Sequence, residues 1–296
     1  MAQTSTDGFH PEVLRLFDRY IHGLIDRRGF LEGAGKYVAA GATAAGVLEA
    51  LSPNYAEARQ QVPKDDARVK SEYADYQSPA GNGRMRGLLA RPANATGKLP
   101  GVLVVHENRG LNPHIEDVAR RAALANFIAF APDALTPLGG YPGTDEQGAT
   151  MQRQLDQQKV MNDFEAATRW LQAHDGCTGR VGVVGFCFGG GVANNMAVRI
   201  PNLAAAVPFY GGSPRAEDVP RINAALLIHF AEMDERINAA WPAYEAALKA
   251  NNKKYAAHVY PGTQHGFHND TTPRYNADAA KLAWGRTVDF FREQLK

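Results

Sequence analysis

The chain has 296 residues, of which 45% are hydrophobic and 21% charged, and its formal net charge is +1. This composition is typical of a globular protein with enough apolar material for a large core. Without a basic run or interleaved basic and aromatic residues, neither nucleic acid nor an anionic membrane is a natural partner. Two cysteines give no disulfide framework and say little about the compartment.

The first sixty residues predict a helical extension. Between residues 11 and 25, apolar positions recur at helical spacing with charged residues on the other side, which indicates an amphipathic helix. The pair Arg27-Arg28, the Ala- and Gly-rich run 37–48 and the small residues 56–58 together resemble a twin-arginine export signal with its cleavage site.

A folded alternative exists for the same segment. The arginine pair lies far from the start of the chain, and Glu32 and Lys36 interrupt or border the apolar run. We therefore favour folded helices that pack on the rest of the chain or on a second subunit, which leaves a homodimer open. We expect a cytoplasmic protein, with periplasmic export as the alternative, and a boundary between an extension at 1–61 and a catalytic domain at 62–296.

Beyond residue 62, short strands alternate with helices, which predicts a mostly parallel sheet with helices on both faces. We expect strands at 69–77 and 85–91, which form an antiparallel start, and then at 101–105, 127–131, 204–209, 225–230 and 255–260. The expected helices are 113–125, 152–173, 239–250 and 277–294. In such a sheet, functional residues lie in the loops after the carboxyl ends of the strands.

Cys187 stands between Gly185 and Gly189, where a valine-rich strand turns sharply into a glycine-rich helix start. A lone cysteine is more often a small core residue than a catalyst. A strand-turn-helix corner with glycines on both sides, however, is the way a nucleophile is exposed at the top of such a sheet. We therefore predict that Cys187 is a nucleophile and interpret Cys177, in a polar stretch, as an incidental loop thiol.

A thiol nucleophile needs a base, and the base needs an acid that orients it. Asp234 follows the strand at 225–230, and His265 follows the strand at 255–260, in the chain order that this kind of fold uses. We predict a triad of Cys187, His265 and Asp234. Spacing alone leaves Glu232 and Glu235 as alternatives to Asp234.

The charge on a tetrahedral intermediate must also be met by fixed donors. The backbone N–H of Phe188 begins a helix, and the backbone N–H of Asn108 follows the strand at 101–105, so we predict that these two amides form the oxyanion hole. Glu107 is unexpected here, because an acid beside a thiolate raises the proton affinity of both groups.

From about Lys98 to the C-terminus the chain resembles the dienelactone hydrolases, which are α/β-hydrolases with a cysteine nucleophile. The resemblance is carried by His106-Glu107-Asn108-Arg109-Gly110, Ala131-Pro132-Asp133, Gly185-Phe186-Cys187-Phe188-Gly189-Gly190, Met233-Asp234 and Gly262-Thr263-Gln264-His265-Gly266-Phe267. It implies the same triad. It also implies that Glu107 interacts with the resting thiol and releases it when substrate arrives, so that the thiolate forms only then.

One departure bears on the substrate. Family members that act on dienelactone hold its carboxylate with arginines, one of them four positions after the catalytic histidine, where this chain has Asn269 preceded by His268. Losing that arginine removes a bidentate contact, so a neutral or larger ester or lactone is a better fit than dienelactone. The further candidates for the substrate pocket are Arg109, Tyr141 and Arg153.

These observations predict an enzyme that hydrolyses carboxylic esters or lactones through a thioester intermediate. We expect no cofactor and no metal, because no cluster of further ligands accompanies His265 and His268. Two alternatives remain: a redox-sensing or binding module on the same fold, in which Cys187 is oxidised rather than turned over, and an acyltransferase.

Overall fold

The computed structural model describes residues 8–38, 43–52 and 60–296. Its centre is one eight-stranded sheet in the order β1-β2-β4-β3-β5-β6-β7-β8. The strands are β1 (Val69–Ser78), β2 (Gly83–Pro92), β3 (Leu99–Val105), β4 (Ile128–Pro132), β5 (Cys177–Phe186), β6 (Ala205–Phe209), β7 (Ala225–Met233) and β8 (Tyr255–Gln264). β2 pairs antiparallel with both β1 and β4, and all other pairs are parallel. The predicted antiparallel start and parallel centre are confirmed.

Helices cover both faces because the central strands are apolar on both sides. Along β3, Leu103 and Val105 belong to one core cluster, whereas Val102 and Val104 belong to the other. The helices of the first face are α6 (Gln157–Ala173), α7 (Phe188–Arg199) and α9 (Trp241–Ala250), and those of the second are α4 (Pro113–Leu124) and α10 (Ala277–Gln294). The carboxyl ends of β3 to β8 therefore meet at one edge, between two packed layers.

Two expectations about this domain are wrong. The helix expected at 152–173 begins only at Gln157, as α6, because Asp156 caps it by accepting hydrogen bonds from the N–H groups of Gln158 and Lys159, and a separate helix, α5 (Asp145–Gln152), precedes it. Cys177 is not in a loop: it begins β5 and is buried in the core, and this burial raises the pKa of its thiol. A short helix, α8 (Glu235–Asn238), also follows β7 directly.

The N-terminal extension forms three helices, α1 (Pro11–Ile21), α2 (Arg27–Ala34) and α3 (Ala44–Leu51). They share a small apolar core of Val13, Phe17, Phe30, Ala34, Leu48 and Leu51. α1 ends earlier than expected, where Gly23 takes a φ of 72° that other residues rarely adopt.

The arginine pair lies in the first turn of α2, after Asp26, whose side chain caps that helix. The small residues 56–58 fall outside the described residues. In the described part of the chain, no helix has both the length and the apolar character needed to cross a membrane.

Candidate active site

The turn after β5 places Cys187 at the carboxyl edge of the sheet with φ 57° and ψ −113°. Such a left-handed backbone is strained for a residue with a side chain and is typical of functional corners. The flanking glycines are required on steric grounds: a Cβ on Gly185 would lie 1.9 Å from the carbonyl oxygen of Gly189, and a Cβ on Gly189 would lie 2.4 Å from that of Val105. The N–H of Cys187 donates to the carbonyl of Phe209, at 3.1 Å.

The loops after β7 and β8 bring Asp234 and His265 together. Nδ1 of His265 lies 2.5 Å from Oδ2 of Asp234, and both side chains are buried. The other carboxylate oxygen of Asp234 accepts from the N–H of Ile237 and so caps α8. Nε2 of His265 faces the Cys187 side chain and makes no hydrogen bond to another described residue. The three residues of the predicted triad are therefore neighbours in the required order.

The two glutamates that spacing left as alternatives to Asp234 contact other groups. A carboxylate oxygen of Glu232 accepts from the N–H of Gly262, 2.8 Å away. The side chain of Glu235 is 91% exposed and faces Arg15 of the extension. Among the described acids, Asp234 is the hydrogen-bond partner of the His265 ring.

The surroundings of His265 favour its charged form. Burial alone would lower the pKa of His265, but the adjacent Cys187 and the Asp234 carboxylate outweigh it and raise this pKa to about 10. An imidazolium that stable is suited to stand beside a thiolate, because each charge stabilises the other.

A cavity of about 360 Å³ opens beside Cys187. Phe188 and Asn108, which carry the two predicted oxyanion amides, both line it. Tyr210 lines the same cavity, and its ring centroid lies 5.0 Å from that of His265. The cavity therefore gives a small molecule access to Cys187 and to the two residues that carry these amides.

Glu107 is buried close to this cavity, and its Oε2 accepts a hydrogen bond from the side-chain amide of Asn269, at 3.0 Å. Asn269 thus holds Glu107, and it does not line the cavity as a substrate contact. His268 is buried as well and stacks on Phe186, with ring centroids 4.9 Å apart, and burial holds its pKa well below the usual value. The structure therefore does not bring His268 or Asn269 to the pocket.

The remaining pocket candidates divide between two cavities. A second cavity, of about 570 Å³, lies between the extension and α5, and Arg109 lines it with its guanidinium 2.5 Å from Asp145. The hydroxyl of Tyr141 donates to the same aspartate, so Tyr141 contacts this wall and not the cavity beside Cys187. Arg153 lines both cavities.

Sequence reasoning missed the contribution of the extension. His22, the residue after α1, lines the cavity beside Cys187, and its ring meets that of His265 edge-on with centroids 4.8 Å apart. Arg236 of α8 lines the same cavity and contacts Nε2 of His22, at 2.8 Å. Arg274 is buried behind them with its guanidinium carbon 5.3 Å from the Phe17 ring centroid. The only available signal was a histidine at the end of an amphipathic helix, which does not indicate a partner.

Comparison with known proteins identifies the family of the chain. A model of the "Dienelactone hydrolase family" matches residues 85–295, and a model described as "YqhI-like" matches residues 1–39. A "Probable 2-oxo-3-(5-oxofuran-2-ylidene)propanoate lactonase" from Bradyrhizobium sp. is 32% identical over 229 residues, which are 72% of this chain and 92% of that protein. The "Putative hydrolase fragment YghX" of Escherichia coli K12 is 54% identical over 114 residues, 38% of this chain and 97% of the fragment.

Among solved structures, a "Putative Dienelactone Hydrolase" from Klebsiella pneumoniae is 29% identical, with a TM-score of 0.66 over 76% of this chain and 99% of that one. The family model alone spans more than two thirds of the present chain and includes every element that carries the corner, the acid and the imidazole. The chain therefore belongs to the dienelactone hydrolase family and is a hydrolase that acts on ester bonds, including those of lactones.

Proposed function

We propose that the chain hydrolyses its ester or lactone by covalent catalysis at Cys187. His265 takes the thiol proton, and the thiolate attacks the substrate carbonyl to form a tetrahedral oxyanion, which the backbone N–H groups of Phe188 and Asn108 stabilise. Collapse breaks the carbon–oxygen bond, and the departing oxygen receives its proton from His265. Water then attacks the thioester while His265 takes a proton from it, and the acid product and the free thiol are released.

One observation carries this proposal: a strained, glycine-flanked Cys187 beside a buried imidazole whose other nitrogen is held 2.5 Å from a carboxylate. A core cysteine has no reason to occupy a backbone conformation that costs free energy. The Asp234 contact fixes the tautomer of His265, so that the free nitrogen points to the thiol and not to the protein.

We also propose that Glu107 restrains the resting thiol. Its carboxylate is buried and anchored by Asn269, and it is close enough to the Cys187 and Tyr210 region to contribute to the local negative charge. A buried carboxylate opposes formation of a second anion nearby. If so, Glu107→Gln should raise the rate at which iodoacetamide alkylates the resting thiol at pH 7. An unchanged rate would assign Glu107 a structural role.

The substrate that fits best is a neutral or larger ester or lactone. Asn269 is committed to Glu107, so no arginine stands at that position to bind a substrate carboxylate. The two cavities share Ala149 and Arg153 in their walls, and the apolar side chains of Phe17, Ile21 and Ile25 line the second. A substrate with an apolar arm can therefore place its carbonyl at Cys187 and its arm under the extension.

The decisive experiment is a panel of aryl esters and lactones, with and without a free carboxylate, assayed with wild type and Cys187→Ala. We expect the variant to fold normally and to lose turnover by about 10⁴-fold or more, because the nucleophile is removed. Cys177→Ala is the matched control, since that thiol is in the core. Turnover that survives in folded Cys187→Ala would overturn the assignment, and a strong preference for carboxylate-bearing substrates would overturn the substrate class.

A further inference from the structure

Three side chains from distant parts of the sequence converge beside the cavity. One nitrogen each of His22 and His265 and the sulfur of Cys187 all lie within 4.8 Å of one another. His22 comes from the end of α1, Cys187 from the corner after β5 and His265 from the loop after β8. Thiolate and imidazole are the ligands that Zn²⁺ and other borderline-soft divalent ions prefer in proteins.

Each imidazole has a carboxylate close to one of its ring nitrogens. Nδ1 of His265 lies 2.5 Å from Asp234, and this leaves its buried Nε2 on the side of the thiol. Nε2 of His22 lies 3.3 Å from Oδ1 of Asp18, one turn earlier on α1. A carboxylate behind a histidine fixes the ring, sets its tautomer and raises its basicity as a metal ligand. The contact between Asp234 and His265 has this form, and Asp18 places a second carboxylate near the His22 ring.

The charge around the group also suits a cation. The carboxylates of Asp18, Asp234 and Glu107 surround the group. Two guanidinium groups compete with a bound cation: that of Arg236 lies 2.8 Å from Nε2 of His22 and 3.8 Å from Asp18, and that of Arg274 is buried near Asp18, Glu107 and Cys187.

We propose that His22, Cys187 and His265 form a reversible binding site for Zn²⁺, and that the bound ion holds the enzyme in an inactive state. On binding, the proton that the Cys187–His265 pair holds passes to solvent, so that both the thiolate sulfur and Nε2 of His265 donate a lone pair to the ion, and the sulfur can no longer attack a carbonyl. Zinc ligands lie about 2.0–2.3 Å from the metal, so the three donor atoms must approach to roughly 3.5 Å of one another. The donor atoms lie within 4.8 Å of one another without the ion, so binding requires inward side-chain movements of about 1 Å, and water fills the fourth position.

The proposed metal site depends on the N-terminal extension, because the extension supplies His22. The catalytic pair alone offers two ligands, and His268, which the sequence does not support as a metal partner of His265, is buried against Phe186. His22 instead supplies the third ligand, from within the region 1–39 that lies outside the dienelactone hydrolase match. Restraint of the thiol by a metal is therefore a property that this chain gains from its N-terminal helices.

The test uses the full chain, freed of metal with a chelator, and titrates it with Cd²⁺ and then Zn²⁺ without substrate. Cd²⁺ should produce the ultraviolet absorption of a cadmium–thiolate bond, and Zn²⁺ should suppress alkylation of Cys187 by iodoacetamide until chelator is added. We expect His22→Gln, which keeps a polar side chain at this position, to weaken binding of both ions by more than about tenfold. Cys187→Ala should lose the absorption altogether.

His258→Gln is the matched control, because His258 lies partly exposed on β8 and should leave both titrations unchanged. If His22→Gln and wild type bind the ions equally, with thermal unfolding showing that both are folded, the proposal is wrong. It is also wrong if Cys187→Ala keeps the absorption. The proposal rests on Cys187 as the reactive thiol, but no readout of this test uses an ester. Failure to bind metal would therefore leave the hydrolase assignment standing, and failure of ester hydrolysis would leave the metal site standing.

Discussion

The two regions that meet at Cys187 are built in different ways. The corner after β5 is fixed by close packing, since backbone atoms fill the space that a Cβ on Gly185 or Gly189 would need. The end of α1 is attached mainly by polar contacts, such as the 2.6 Å hydrogen bond from the Asn108 side chain to the Ile21 carbonyl. Close-packed backbone has no alternative arrangement, whereas a few hydrogen bonds can open and close. The nucleophile is therefore held rigidly, and the wall opposite it is adjustable.

The largest effect should come from breaking the rigid region. In Gly185→Ala, the new Cβ would lie 1.9 Å from the Gly189 carbonyl oxygen, and the sheet below leaves no room for relief. We expect a loss of more than about 4 kcal/mol in the free energy of unfolding, measured in urea, or an insoluble protein. Gly285→Ala on α10 has open space around it and should be neutral or stabilise by up to about 1 kcal/mol. Equal stabilities for the two variants would contradict the packing argument.

The next effect separates orientation from stability. Asp234→Asn keeps an oxygen that can cap α8 but no longer favours the tautomer and the charge of His265. We expect kcat to fall by about 10³–10⁴-fold while the midpoint of urea unfolding changes little. The pKa of His265, about 10 with the carboxylate present, should fall, which a pH profile of thiol alkylation measures. Glu235→Gln should have the kcat of wild type. A similar loss of kcat in Glu235→Gln would mean that Glu235, and not Asp234, orients His265.

The same contrast explains what the sequence could predict. Asp234 and His265 were within reach of sequence reasoning because parallel strands share one carboxyl edge, so residues after separate strands must meet. His22 was not, because an amphipathic helix pattern gives its apolar face but not the surface on which it packs. The break between α5 and α6 was also missed, since the residues around it all suit helices and only the Asp156 cap separates them.

The end of α1, which forms the adjustable wall of the cavity, should lose stability at low pH. The pKa of His22 falls from 6.5 to about 4 on folding, so between these values the unfolded segment binds the proton that the folded one excludes. Stability therefore decreases as the pH falls through this window, by about 2 kcal/mol between pH 7 and pH 4.5. Hydrogen exchange of the α1 amides should show this loss of protection in wild type and a much smaller one in His22→Gln. Parallel losses in both proteins would refute the assignment to His22.

The smallest expected effect separates the role of the Asn108 side chain from that of the Asn108 backbone N–H. Asn108 is proposed to stabilise the oxyanion through its N–H, while its side-chain amide holds the Ile21 carbonyl of the extension. Asn108→Ala keeps the N–H and removes the link, so we expect kcat on a small aryl ester to stay within about threefold of wild type. Hydrogen exchange of α1 should report a docking loss of about 1 kcal/mol. A hundredfold fall in kcat with α1 still protected would mean that the Asn108 side chain, and not its N–H alone, acts on the substrate.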